Sequence, residues 1–158
     1  MLYAEDHTPG RTFDLGERTL TAEEIVAFAA EWDPQPFHLD ADAARVSPIG
    51  GLFASGLHGV AVLVRLGSDG MISKTAIVAG RGWHDVQMRK PIRPGMRLRG
   101  TATVVEQLLR ESDGVIGWRL ELHDDDGELV LGFTGEGQVL RRNDSNASSS
   151  SSGASNIG

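Results

Sequence analysis

The chain has 158 residues, 40% of them hydrophobic, which is enough for one domain with its own core and too little for two. A formal charge of −7 argues against nucleic acid as a partner, because neutralising phosphates needs a basic surface. Cysteine is absent, which excludes disulfides, thiolate metal sites and a cysteine nucleophile and fits a reducing cytoplasm.

Taken in chain order, Met1 to Gly10 carries Glu5, Asp6 and Pro9 and has neither the basic start nor the apolar centre of a signal peptide. Phe13, Leu15 and Arg18 to Leu20 read as an irregular opening strand. Thr21-Ala22-Glu23-Glu24 is a capping box, and the helix it starts carries Ile25, Val26, Phe28 and Ala29 at helical spacing. Pro34 ends that helix. Asp33 and Gln35 each precede a proline and are pushed out of the α region, so the segment to His38 is expected to be a rigid extended loop. Asp40 to Val46 predicts a short helix, and Pro48-Ile49-Gly50-Gly51 breaks the chain again.

From Ser55 to about Leu66 the chain is apolar all round, and its length and Ser-Gly start favour a helix. Its longest apolar run, Val60 to Val64, falls far short of the roughly 20 residues that span a bilayer, so no membrane association is expected. Beyond Gly70 the character changes to strands, predicted over Ile77 to Met88, Arg97 to Leu109, Val115 to His123 and Leu129 to Leu140. Trp118, Leu120 and Leu122 alternate with Arg119, Glu121 and His123, as in a half-buried antiparallel strand. Asp124-Asp125-Asp126-Gly127 is a hairpin turn and Pro91-Ile92-Arg93-Pro94-Gly95 a sharp corner. Helices followed by consecutive antiparallel strands predict an α+β domain, its sheet packed on one central helix. One domain is expected over 1–142, with its working part from about Thr12. The Ser/Asn/Gly-rich segment 143–158 has little to bury and is expected to be a disordered tail.

The chemistry concentrates in Trp32-Asp33-Pro34-Gln35-Pro36-Phe37-His38 and in Ala54-Ser55-Gly56-Leu57-His58. A carboxylate and an imidazole on one proline-stiffened segment suit the transfer of protons to and from water near neutral pH. Ser55 is a candidate N-cap and Gly56 the first residue of the helix. The first N–H groups of a helix lack intrahelical partners and carry its positive dipole end, so Gly56 is a candidate oxyanion donor.

These residues, with Gly51-Leu52-Phe53 before them and Gly82-Trp83 leading to Lys90-Pro91-Ile92-Arg93-Pro94-Gly95 after, resemble the MaoC-like dehydratases. That family includes the (R)-specific enoyl-CoA hydratases. The resemblance covers roughly Leu20 to Leu140 and implies a hot-dog fold, an antiparallel sheet wrapped around a long helix. It also implies a homodimer with active sites near the subunit boundary, and a lyase that reversibly hydrates a trans-2-enoyl thioester of coenzyme A or acyl carrier protein. Asp33 and His38 match the residues that activate water, and Gly56 the residue whose N–H polarises the thioester carbonyl. Gln35, Phe37 and Ser55 are expected to border the substrate, His58 to line its pocket or lie in the core, and no metal or cofactor beyond the substrate's own coenzyme A is expected. Two positions depart from the family pattern. Gln35 replaces an asparagine, which bears on substrate preference, and Met96 replaces an aspartate in the corner.

Other readings carry less weight. A Ser55–His58 nucleophilic pair lacks the Gly-x-Ser-x-Gly setting and a third member. His38, Asp40 and Asp42 show no helical metal-ligand spacing, and Asp124 to Asp126 lacks the downstream glutamate of a calcium loop. Trp83 and Trp118 are expected in the core or at a subunit boundary. Arg89, Lys90, Arg93 and Arg97 form either a solvated edge or a contact for coenzyme A phosphates. The competing functions are a hot-dog thioesterase, which directs water at C1 instead of Cβ, and a non-catalytic acyl-thioester-binding subunit.

Overall fold

The computed structural model describes residues 1–143; the tail predicted over 143–158 lies, apart from Asn143, outside the described residues. A 3₁₀ turn at Ala4–Asp6 precedes strand β1 (Thr12–Thr19). Four helices follow: α1 (Ala22–Trp32), α2 (Pro36–Leu39), α3 (Ala41–Arg45) and α4 (Gly56–Gly70). After a second 3₁₀ turn come β2 (Ile77–Met88), β3 (Arg97–Leu109), β4 (Asp113–His123) and β5 (Leu129–Leu140). The strands form one antiparallel sheet in the order β1-β3-β4-β5-β2.

The alternation read from the sequence sets which face of the sheet is covered. Ile116, Trp118, Leu120 and Leu122 of β4 are buried, and so are Leu98, Ala102 and Val104 of β3. Against this face lies α4, whose Val60, Leu63 and Leu66 join the same core as Leu131 and Phe133 of β5. Close approach depends on Gly59: a Cβ there would stand 2.8 Å from both Ile92 Cδ1 and Leu131 Cδ1. The predicted α+β hot-dog architecture is the one observed.

Thr21 caps α1, its hydroxyl accepting from Glu24 N–H while the Glu24 carboxylate accepts from Thr21 N–H. One local expectation fails. The stretch after Pro34 is not extended throughout, because Pro36 opens the one-turn helix α2. Proline at a first helical position lacks only an N–H that would have had no partner there. His38 therefore stands on a helical turn, and Asp40 at its end caps α3 by accepting from Asp42 and Ala43 N–H.

The N-terminal segment belongs to the fold more closely than a start near Thr12 implied. Glu5 pairs with Arg141 at 2.8 Å and Asp6 with Arg142 at 2.8 Å, tying the two ends of the domain together. His7 is fully buried and accepts the Trp118 indole N–H at 3.2 Å. Edge strand β2 is the opposite case, with Val78, Trp83, Val86 and Met88 all about half exposed. Of the two tryptophans expected in the core or at a subunit boundary, Trp118 is buried and Trp83 stands exposed on this edge strand.

Candidate active site

Asp33 is the C-cap of α1 and His38 lies on α2, so the break between two short elements sets their separation. The segment just before α4 then fixes both side chains. His38 Nδ1 lies 2.7 Å from the Phe53 carbonyl oxygen. A carbonyl only accepts, so Nδ1 carries the proton and Nε2 of the neutral ring keeps its lone pair. Two residues on, the Ser55 hydroxyl donates to Asp33 Oδ2 at 2.6 Å while Ser55 Oγ caps α4 through Leu57 N–H at 3.2 Å. The next residue, Gly56, begins α4, and among the described residues its N–H has no hydrogen-bond acceptor. Phe53, Ser55 and Gly56 thus orient the imidazole, orient the carboxylate and present a free donor, in that order.

His38 Nε2 and Asp33 Oδ2 are 3.6 Å apart, beyond a direct hydrogen bond. One water at about 2.8 Å from each fits this spacing, donating one hydrogen bond to the Nε2 lone pair and the other to the carboxylate. His38 is buried, whereas the Asp33 side chain keeps 32% of its exposure and so borders an open face. Phe37 and Phe53 wall the imidazole edge-on, with ring centroids 4.7 Å and 4.6 Å from it.

A cavity of about 230 Å³ starts at Gly56 and runs between Phe53, Ala54, Met88, Arg89 and Ile92. Met88 leans onto Gly56 so closely that a Cβ on the glycine would lie 2.2 Å from Met88 Sδ. Met88 was not foreseen, since it comes from β2, far along the chain. A second, mostly apolar cavity of about 270 Å³ lies between the later turns of α4 and strands β2, β4 and β5, lined by Val64, Gly67, Trp83, Trp118 and Phe133.

The remaining expected site residues fall as follows. Gln35 is exposed, and its backbone, not its side chain, shapes the turn by accepting from His38 N–H at 2.9 Å. His58 is not brought to the Asp33–His38 pair. It stacks on Phe28 at 4.2 Å and lines a separate groove with Arg18 and Arg65, and burial lowers its pKa. Among the described residues, no three His, Asp or Glu side chains gather as a metal-binding group, and no helix is long and apolar enough to cross a membrane.

Residues 5–118 match the family described as MaoC like domain. The chain belongs to the MaoC-like family. The crystal structure of a MaoC-like dehydratase from Rhodospirillum rubrum is 36% identical and superposes with a TM-score of 0.82, covering 90% of this chain and 99% of that one. An uncharacterised protein, YdeM, from Bacillus subtilis (strain 168) is 29% identical over 137 residues, covering 86% of this chain and 96% of its own length. An (R)-hydratase from A. caviae involved in PHA biosynthesis shares the fold, at 23% identity and a TM-score of 0.67, covering 85% of this chain and 97% of that one. Within this MaoC-like domain the Asp33–His38 pair lies on the matched span, as does Gly56.

Proposed function

We propose that the protein hydrates a trans-2-enoyl thioester reversibly to the 3-hydroxyacyl thioester, with coenzyme A or an acyl carrier protein as the thiol carrier. The observation that carries this reading is the pair of anchors from one segment. Phe53 fixes the His38 tautomer and Ser55 fixes the Asp33 carboxylate, beside a Gly56 N–H that has no acceptor among the described residues.

In the forward direction His38 Nε2 takes a proton from water while Asp33 holds the water's other hydrogen. The hydroxide oxygen bonds to Cβ, the Cα=Cβ pair shifts towards the thioester, and charge gathers on its oxygen. Gly56 N–H at the positive end of α4 stabilises that oxygen. The proton on His38 then passes to Cα, so both parts of the water end in the product. General acid–base groups contribute about 10²–10⁴-fold and one oxyanion donor about 10²–10³-fold. The apolar cavity beside α4 is the proposed receptacle for the acyl chain.

We assign the assembly as a homodimer. An edge strand with Val78, Trp83, Val86 and Met88 exposed supports it, since such an edge needs a partner strand or cover. Incubation with crotonyl-CoA, following enoyl absorbance and free thiol together, tests the reaction. Loss of absorbance without thiol is the expected result. Thiol release without loss of the enoyl would make the protein a thioesterase, and neither change would leave a binding subunit.

A further inference from the structure

The four basic residues at the corner before β3 are unequal. Lys90 is held by Asp124 at 2.6 Å and by Glu128, which together keep its ammonium well above its usual pKa. Arg93 is spent on the Gly51 and Ile49 carbonyls at 2.8 and 2.5 Å, and Arg97 pairs with Asp125 at 2.8 Å. Arg89 alone of the four has no carboxylate or backbone acceptor among the described residues. Its Nε and one terminal nitrogen donate to the neutral Gln87 Oε1. That bond steadies the guanidinium and leaves the rest of its N–H groups free.

Arg89 also stands in a particular place. It follows Met88, the residue lying on Gly56, and lines the same cavity as Gly56. That cavity is apolar along Phe53, Ala54 and Ile92, with the oxyanion donor at one position and the two cations Arg89 and Lys90 at others. A narrow, uncharged linker leading from a thioester to an anionic group matches this arrangement. A guanidinium fork with free donors suits phosphate better than a carboxylate-saturated ammonium does.

Resting on the proposed thioester reading, we infer that Arg89 binds a phosphate of the phosphopantetheine arm, with the cavity between Met88 and Ile92 holding the arm's inner part. Arg89 is then a substrate-recognition residue and takes no part in the chemistry at Cα and Cβ.

The test compares the full chain with Arg89→Ala on crotonyl thioesters of coenzyme A, of 4′-phosphopantetheine and of pantetheine. For the two phosphate-bearing substrates KM should rise about five- to tenfold at unchanged kcat, a size expected for a charge-assisted contact near solvent. For the pantetheine thioester the change should be under twofold. A rise on both phosphate carriers places the contact on the phosphate shared with acyl carrier protein, as inferred; a rise confined to coenzyme A would move it to a nucleotide phosphate and overturn the assignment to the arm. An equal loss on all three, or none, overturns the inference. Titration calorimetry with free coenzyme A reads the contact without turnover. A Kd raised five- to tenfold by Arg89→Ala in a protein that hydrates nothing would uphold the phosphate contact and overturn the hydration reading. An unchanged Kd would overturn the contact whatever the turnover.

Discussion

At the scale of single residues, Ser55 does two jobs with one hydroxyl, capping α4 and holding Asp33. Ser55→Ala should cost about 1 kcal/mol of stability as a lost cap and lower kcat roughly tenfold as the carboxylate loses its anchor. Ser55→Thr should recover both in denaturation and turnover assays, and equal turnover in Ser55→Ala would show that the anchor is idle. Gly56→Ala separates chemistry from folding in another way. The nearest atoms the added methyl meets belong to the flexible end of Met88, which can swing aside, so the melting temperature should hardly move. The methyl would then occupy the approach to the N–H, and kcat should fall by at least about tenfold. Asp33, His38, Ser55 and Gly56 could be singled out from two short stretches and the family resemblance those stretches carry, and the fold brings them together. The Phe53 carbonyl and Met88 were not. A backbone oxygen has no side-chain signature, and Met88 reaches Gly56 only through the pairing of β2 with β5.

At the scale of elements, the four long strands and α4 could be placed from runs of β-branched residues, turn signals and a Ser-Gly helix start. The turn α2 could not, since four residues show no periodicity and two prolines read as extended chain. His58 shows the same limit. Its place one turn after Ser55 left pocket lining and core both open, and the helical turn carries it round to Phe28. The contact of α4 with the sheet gives a sharper test. Ile92 and Leu131 are buried and have little room to retreat from a methyl on Gly59. Gly59→Ala should therefore destabilise by about 1–3 kcal/mol by overpacking, despite alanine's better helix propensity. Urea unfolding measures this, and a stabilised variant would mean that the helix lies farther from β5.

At the scale of the whole molecule, His7 links stability to pH. Burial, with Arg11 nearby, lowers its pKa from 6.5 to about 4, against the weaker pull of Asp6. Its neutral form is enforced geometrically, because Nδ1 accepts the Trp118 indole N–H and cannot also carry a proton there. The unfolded chain binds a proton near pH 6.5 that the folded one refuses until about pH 4, so stability falls as pH drops through that window. The loss is expected to reach up to about 3 kcal/mol. Urea unfolding at pH 7 and pH 5 should show the decline, and His7→Gln should flatten it; an unchanged slope would place the titration elsewhere. In solution, light scattering should give about twice the 16.9 kDa chain mass, and Val78→Lys on the exposed edge should lower it towards one copy. A wild-type monomer with full activity would rule out a site built at a subunit boundary.

The central claim is that Asp33 and His38 together activate the water added to an enoyl thioester. Its most direct test is the turnover of crotonyl-CoA by the wild-type chain, Asp33→Asn and His38→Ala, followed by loss of enoyl absorbance. Each variant should lose at least about 10²-fold in kcat while melting close to wild type. Near wild-type turnover by either variant would contradict the claim.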